Sequence, residues 1–411
     1  MATILATGLC EGEGEGEDSA ATAEEAVRQA KDKLERSACN AAVDISIVYC
    51  SSRYDYQEVI DVVREETNKA PLLGCSTAGE FTECAVGNGG IAVGLVSSDD
   101  IKFFTSMVEG VKEDPELAVR TVANEFPSKF DDGYSHLCAI MLLDGLAGVG
   151  EEVTLLASSA FNQIFGKNVM LVGGAAGDDL RFETTTLFSD NRVASDALSV
   201  CLLASKKPFF TGVQHGHVPV SPPLHITRAD GCVLYEIEGR PAWEVWKEQT
   251  AEAARSIGID TDKLEEPDAI GTYLMRFELG LSTKAGQYKI RIPLSKNEDG
   301  SLNFGCTIPE GAVFRLMESK QAYQIQSARE AAEIAMMNAN GNVEIASAFI
   351  FDCACRGLIL GDELCKGIDQ FKSVLGSIPM LGCGTYGEIC MESGQFSGFH
   401  NTTSVVLLIP K

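Results

Sequence analysis

The sequence has no uninterrupted apolar run of about 18 residues, no Cys-x-x-Cys, and few cations, with 33 Lys and Arg against 59 Asp and Glu. Each shortage excludes something. Without a long apolar run there is no candidate membrane-spanning helix. The formal net charge of -26 argues against nucleic acid and anionic membranes as partners, because both need clustered Lys and Arg to neutralise phosphate. The 14 cysteines are scattered through strand-like runs and turns rather than laid out as a disulfide framework, so reduced thiols in a reducing compartment are expected. No basic stretch followed by an apolar core and a small-residue cleavage site opens the chain, and the expected location is cytoplasmic.

What the chain does have is length, apolar content and a repeated phrase. Its 411 residues, 45% of them hydrophobic, are enough for two to three domains with large cores. An apolar strand-like run, a helix-length polar stretch and a hydrophobic step into a glycine turn closed by an acid occur three times. The turns are Pro71 to Glu80, Met170 to Asp179 and Pro379 to Glu388, the second with a one-residue gap. Apolar runs precede them (Ile45 to Tyr49, Ala139 to Leu143, Ala348 to Phe351) and follow them (Ile91 to Val96, Leu198 to Leu203, Val405 to Ile409). One such unit cannot cover its own apolar face, so the copies must pack together or share a sheet. Turn residues Cys75, Ser76, Thr77, Glu80, Gly174, Gly387 and Glu388 are therefore candidates to surround a small-molecule pocket with free N–H groups and acids. Tight structural turns are the plainer alternative.

Helices are predicted over Ala20 to Arg36 with Ser19 as N-cap, Tyr56 to Lys69, Pro115 to Phe126, Glu151 to Phe165, Pro241 to Gln249 and Gln321 to Met337. The alternating Glu and Gly from Glu11 to Asp18 predict a disordered acidic loop. From Gly212 to Phe314 the texture is mainly strands and turns, with Asp230-Gly231 a hairpin turn. The expectation is an α/β (α+β) fold of three β-α-β-β units packed together, with a mainly β insertion between the second and third.

Specific runs carry a family resemblance. Val169 to Asp178, Gln214-His215-Gly216, Thr227-Arg228-Ala229, Gly239 to Ala242, Ile308 to Gly311, Cys353 with Arg356, Leu381-Gly382 with Gly387-Glu388, and Phe399 to Thr403 resemble FIST-domain proteins, in the right order over nearly the whole chain after about residue 40. The resemblance implies FIST-N over 40–226 and FIST-C over 227–392; outside them the residues read as an N-terminal strand, acidic disordered loop and helix over 1–39 and a closing strand over 393–411 that completes the third repeat. It implies a sensory module that binds an amino-acid-like or carboxylate ligand, with Asn401 among the site residues, and that signals through a separate partner such as a histidine kinase. Some members bind haem and sense nitric oxide; nothing in this sequence resembles an F-box, kinase or cyclase output. Two positions depart from the family pattern, Cys355 where glycine usually precedes the arginine and His217 where an aromatic is common.

Within that frame, Arg228, Arg291 and Arg356 lie in or beside apolar runs, where a guanidinium is costly unless paired. They are candidates for a carboxylate ligand, with Glu80 or Glu388 for an amine, or for ion pairs with those same acids. Cys353 and Cys355, two apart on an expected strand, share one face. With Cys383, Cys390 and His400 they suggest a thiolate metal site, a redox-sensing or nucleophilic Cys353, or plain buried thiols; no metal is assigned. His215 and His217 form a His-x-His pair that suits haem iron or a structural role. No catalytic constellation emerges. Gly382-x-Gly384-x-x-Gly387 lacks the following helix that a dinucleotide site needs, and Gly74-Cys75-Ser76 lacks the spacing of a nucleophile elbow.

Overall fold

The computed structural model describes residues 2–12, 18–87, 89–131, 133–283, 287–391, 395 and 397–411. Most of the acidic run predicted to be disordered lies outside them.

The first unit runs β1 (Ile4–Cys10), α1 (Ser19–Ser37), β2 (Ile45–Cys50), α2 (Tyr56–Glu66), β3 (Leu72–Ser76), β4 (Glu80–Thr82), β5 (Val86–Gly87) and β6 (Ile91–Ser97). Helix α1 starts because the Asp18 carboxylate accepts from Ala21 N at 3.0 Å. The cap is thus Asp18, and Ser19 is the first helical residue. The helix buries Ala23, Ala26, Val27, Ala30 and Leu34, a stripe at helical spacing. The second unit runs β7 (Ile101–Glu109), α3 (Pro115–Glu125), β8 (His136–Leu143), α4 (Gly150–Phe165), β9 (Met170–Ala175), β10 (Leu187–Ser189), β11 (Arg192–Ala194) and β12 (Ala197–Ser205). The third opens with β13 (Phe210–His215).

The β-rich insertion then interrupts. It comprises β14 (His217–Pro219), β15 (Leu224–Asp230), β16 (Val233–Ile237), β17 (Arg240–Pro241), α5 (Ala242–Ser256), α6 (Pro267–Arg276), β18 (Phe277–Ser282), β19 (Tyr288–Arg291), β20 (Pro293–Lys296), β21 (Leu302–Phe304) and β22 (Val313–Ser319). The third unit resumes with α7 (Gln321–Ala339), β23 (Ile345–Cys353), α8 (Ala354–Leu360), α9 (Leu364–Leu375), β24 (Met380–Thr385), β25 (Glu388–Met391), β26 (Phe399–His400) and β27 (Thr403–Pro410). The insertion therefore enters the third unit after its first strand, rather than separating units two and three. Strand β23 ends at Cys353, and Cys355 belongs to α8, so the two thiols do not share a strand face.

One strand order occurs in three sheets: β1-β6-β2-β3, β7-β12-β8-β9 and β13-β27-β23-β24. In each, the two strands flanking the crossover helices pair in parallel: β2 with β3, β8 with β9, β23 with β24. Each sheet is then extended by a hairpin from another unit. Strands β10-β11 extend the first, β25-β26 the second and β4-β5 the third, so the three sheets are closed on one another in a ring.

Inner-facing side chains of all three sheets, among them Tyr49, Cys75, Ile140, Val172, Phe351, Cys383 and Leu407, form one shared core. A separate outer cluster lies on the far side of each sheet, under α1 and α2, α3 and α4, and α7 and α9. The insertion has its own core around Trp246, Tyr273, Phe277 and Phe314.

Candidate functional site

The three glycine turns meet at the ring's junctions. Ala78 N donates to Gly384 O at 3.0 Å and Gly384 N to Gly79 O at 2.7 Å, joining turns one and three. Gly177 N donates to Ser76 O and Asp179 N to Thr77 O, both at 3.0 Å, joining turns one and two. Ala175 N donates to Gly387 O at 2.7 Å and Tyr386 N to Ala175 O at 2.9 Å, joining turns two and three. These N–H groups, expected to be free, are occupied by carbonyls of neighbouring turns.

The closing acids are held in a common way. Thr77 donates to Glu80, whose second oxygen accepts Gly90 N at 3.0 Å. Thr385 donates to Glu388 at 2.9 Å, and its second oxygen takes Thr403 N at 3.3 Å. Burial pushes Glu80 up to about 7 and Glu388 well above the usual carboxylate range. In turn two, burial opposes the charge on Asp178, yet the Tyr386 hydroxyl at 2.5 Å and the N–H groups of Glu183, Phe182 and Thr184 keep it below the usual value. Ser76 Oγ accepts Thr186 N at 2.8 Å, Cys75 is buried in the shared core, and Gly174 lies opposite Glu388 in the β9–β25 pairing.

The three arginines are placed apart. Arg228 is exposed, 4.7 Å over the Tyr235 ring and 3.7 Å from Glu236. Arg356 is fully buried: Nε donates to Asp352 at 2.7 Å, Nη1 to Gln324 and Ser327 at 2.5 and 2.7 Å, and Nη2 to Gln324 O at 2.9 Å. Its ion-pair partner is Asp352, not Glu80 or Glu388. Arg291 lines a large cavity that neither Arg228 nor Arg356 reaches.

That cavity, of about 1080 Å³, lies between α4, β13, the edge of the insertion sheet and the end of unit three. Arg291 and Lys289 alternate along β19, so both point to one face, into the cavity. Arg291 Nη2 pairs with Glu151 at 2.9 Å and Nη1 donates to Phe399 O at 2.9 Å, while Nε is buried with no acceptor among the described residues. Lys289 Nζ donates to Ser397 O, and burial brings its amine down to about 8. Glu151 is the one carboxylate among the described lining residues. His215 and His400 contribute imidazoles, and Val213, Leu281, Ala312, Val313 and Leu155 an apolar wall. Asn401, beside the cavity in sequence, is buried and accepts Ile292 N at 3.4 Å.

Of the sequence candidates, then, Arg291, His215, Cys390 and His400 reach the cavity, and the turn residues gather at the ring's junctions. Lys289, Glu151 and the apolar wall were missed. The Lys-x-Arg alternation on a short strand was the signal for Lys289; Glu151, 140 positions from Arg291, carried none.

His215 and His217 straddle Gly216, with ring centroids 5.5 Å apart. His215 Nδ1 accepts His217 N at 3.3 Å, and His217 is buried 3.5 Å from Glu278 without lining the cavity. The pair therefore offers the cavity the His215 imidazole, beside that of His400, while His217 stays outside it. Among the described residues no three His, Cys, Asp or Glu side chains are grouped to hold a metal. Burial pushes the Cys353 thiol well above its ordinary range, the opposite of what a nucleophile needs. The segment after Gly387 is strand β25, not the helix a dinucleotide site requires.

Family comparison agrees with this architecture. The FIST N domain matches residues 44–240 and the FIST C domain residues 242–391. The chain belongs to the FIST family. FIST domains are associated with small-ligand sensing in signalling proteins. This FIST protein is 23% identical over 303 residues to an uncharacterized protein of Methanocaldococcus jannaschii, covering 72% of this chain and 58% of that one. It is 24% identical over 249 residues to an uncharacterized protein of Mycobacterium tuberculosis, covering 58% and 61%. The chain thus spans about three fifths of the length of these relatives. A cyanuric acid hydrolase from A. caulinodans aligns with a TM-score of 0.27 and 7% identity over 50% of this chain and 71% of that one, too low to carry an argument.

Proposed function

We propose that this FIST protein is a sensory module whose ligand is an organic carboxylate held in the cavity between α4, β13 and β19. The observation that carries the reading is Arg291, whose guanidinium lines the cavity with Nε buried and without an acceptor among the described residues. A buried donor without an acceptor is costly, and a carboxylate supplies the acceptor in the geometry a guanidinium favours. Lys289 adds a second cation, and Glu151 provides a counter-charge for the ammonium of an amino-acid-like ligand. The reading extends to output through a separate signalling protein such as a histidine kinase, and to a cytoplasmic setting, which suits a chain of fourteen scattered cysteines.

The test is a thermal-shift screen of amino acids and simple carboxylates. A ligand at a hundred times its dissociation constant adds about 2.7 kcal/mol, a readily measured rise in melting temperature. Arg291→Met abolishes the rise if the assignment is right. A ligand that shifts both proteins equally places the site elsewhere.

A further inference from the structure

Resting on the carboxylate reading of this cavity, we infer that its occupant is an amphiphile, a carboxylate head on a chain of several methylenes or an equivalent apolar body, rather than a free amino acid. Size is the first argument. At about 30 Å³ of liquid volume per water, a space of about 1080 Å³ corresponds to some three dozen waters, at the upper end of pockets that enclose drug-sized ligands. An amino acid bound to Arg291 displaces only a handful of them and leaves the rest of the wall wet.

The wall is the second argument. Leu155 on α4 and Val313 on β22 are 39% and 38% exposed and both line this cavity, joined there by Val213, Leu281 and Ala312. Apolar side chains gathered on one concave surface, on a protein this rich in charge, mark a surface that an apolar ligand covers. The cations are the third argument. Lys289 and Arg291 stand two apart on one strand while the described lining offers a single acid, so the cavity joins an excess of cation to its apolar side chains, with Leu281 opposite Lys289 in the strand pairing.

The experiment is a chain-length series on the full protein by titration calorimetry: acetate, butyrate, hexanoate and octanoate, each below its micelle-forming concentration, with octanol and leucine alongside. The expected result is a fall in Kd of about fourfold per added methylene, with octanol at least tenfold weaker than octanoate. In Leu155→Gln/Val313→Gln, whose changes fall on exposed positions and leave folding intact, the chain-length dependence flattens while acetate is unaffected. A Kd independent of chain length, with acetate or leucine binding through Arg291, overturns the amphiphile and leaves the carboxylate reading standing. Octanol equal to octanoate, or a series unchanged in the double variant, also overturns it. Failure of every carboxylate, leucine included, removes both readings.

Discussion

Glu151 Oε2 lies 2.9 Å from Arg291 Nη2, tying helix α4 of the second unit to strand β19 of the insertion along one wall of the cavity. An incoming carboxylate competes with Glu151 for the same guanidinium. Glu151→Gln is therefore expected to act in two directions. Stability falls by about 3 kcal/mol, because a buried cation loses its counter-charge, while affinity for simple carboxylates rises. Melting curves and calorimetry on the same preparation separate the two; a variant that loses both stability and affinity shows that Glu151 helps to hold the ligand.

Arg356 gives the contrasting case. Its donors are taken by Asp352, Gln324 and Ser327, and it does not line the cavity. Arg356→Met is expected to cost about 3–5 kcal/mol by stranding Asp352. The folded fraction should bind carboxylates with unchanged affinity. A loss of affinity without loss of stability returns Arg356 to the ligand site.

The buried acid of turn one makes stability depend on pH. Glu80 is raised to about 7 in the folded protein from an ordinary 4.5. Below pH 4.5 it is neutral in both states. Between 4.5 and 7 the unfolded chain loses the proton first, so stability declines as pH rises, by on the order of 3 kcal/mol in all. Above 7 the deficit is constant. The measurable quantity is the difference in unfolding free energy between wild type and Glu80→Gln from pH 4 to 8. It should move in favour of the variant as pH rises, and two parallel curves exclude the assignment.

Gly79 and Gly387 precede the two locked acids with φ of 116° and 152°. A Cβ on Gly79 has 3.7 Å to its nearest neighbour, whereas one on Gly387 falls 2.2 Å from the Phe399 ring. Gly79→Ala should cost about 1–2 kcal/mol from backbone strain alone. Gly387→Ala should cost at least 1 kcal/mol more, since overpacking is added. Denaturant unfolding of the pair checks the order, and equal costs dismiss the contact with Phe399.

Cysteine accessibility offers a test independent of any ligand. Cys39, Cys84 and Cys365 are exposed while Cys353, Cys75 and Cys383 are buried. Brief alkylation followed by peptide mass spectrometry should find the first three modified and the last three intact. Rapid modification of Cys353 reopens a thiol-based role.

The sequence alone determined what depends on neighbours along the chain. Helical stripes such as Ala23 to Leu34, caps, glycine turns and the apolar strand runs are local patterns of burial and backbone geometry, and the FIST motifs are strings within them. Tertiary structure decided whatever depends on pairing between distant segments. The exchange of hairpins that closes three sheets into a ring is set by which sheet edges meet, and no local pattern records that. The same holds for the chemistry. An arginine in an apolar run announces that it must be paired, but Arg356 finds Asp352 four residues away while Arg291 finds Glu151 across 140. The second pairing opens onto space a ligand can fill, because the elements that carry it enclose the cavity instead of packing it shut.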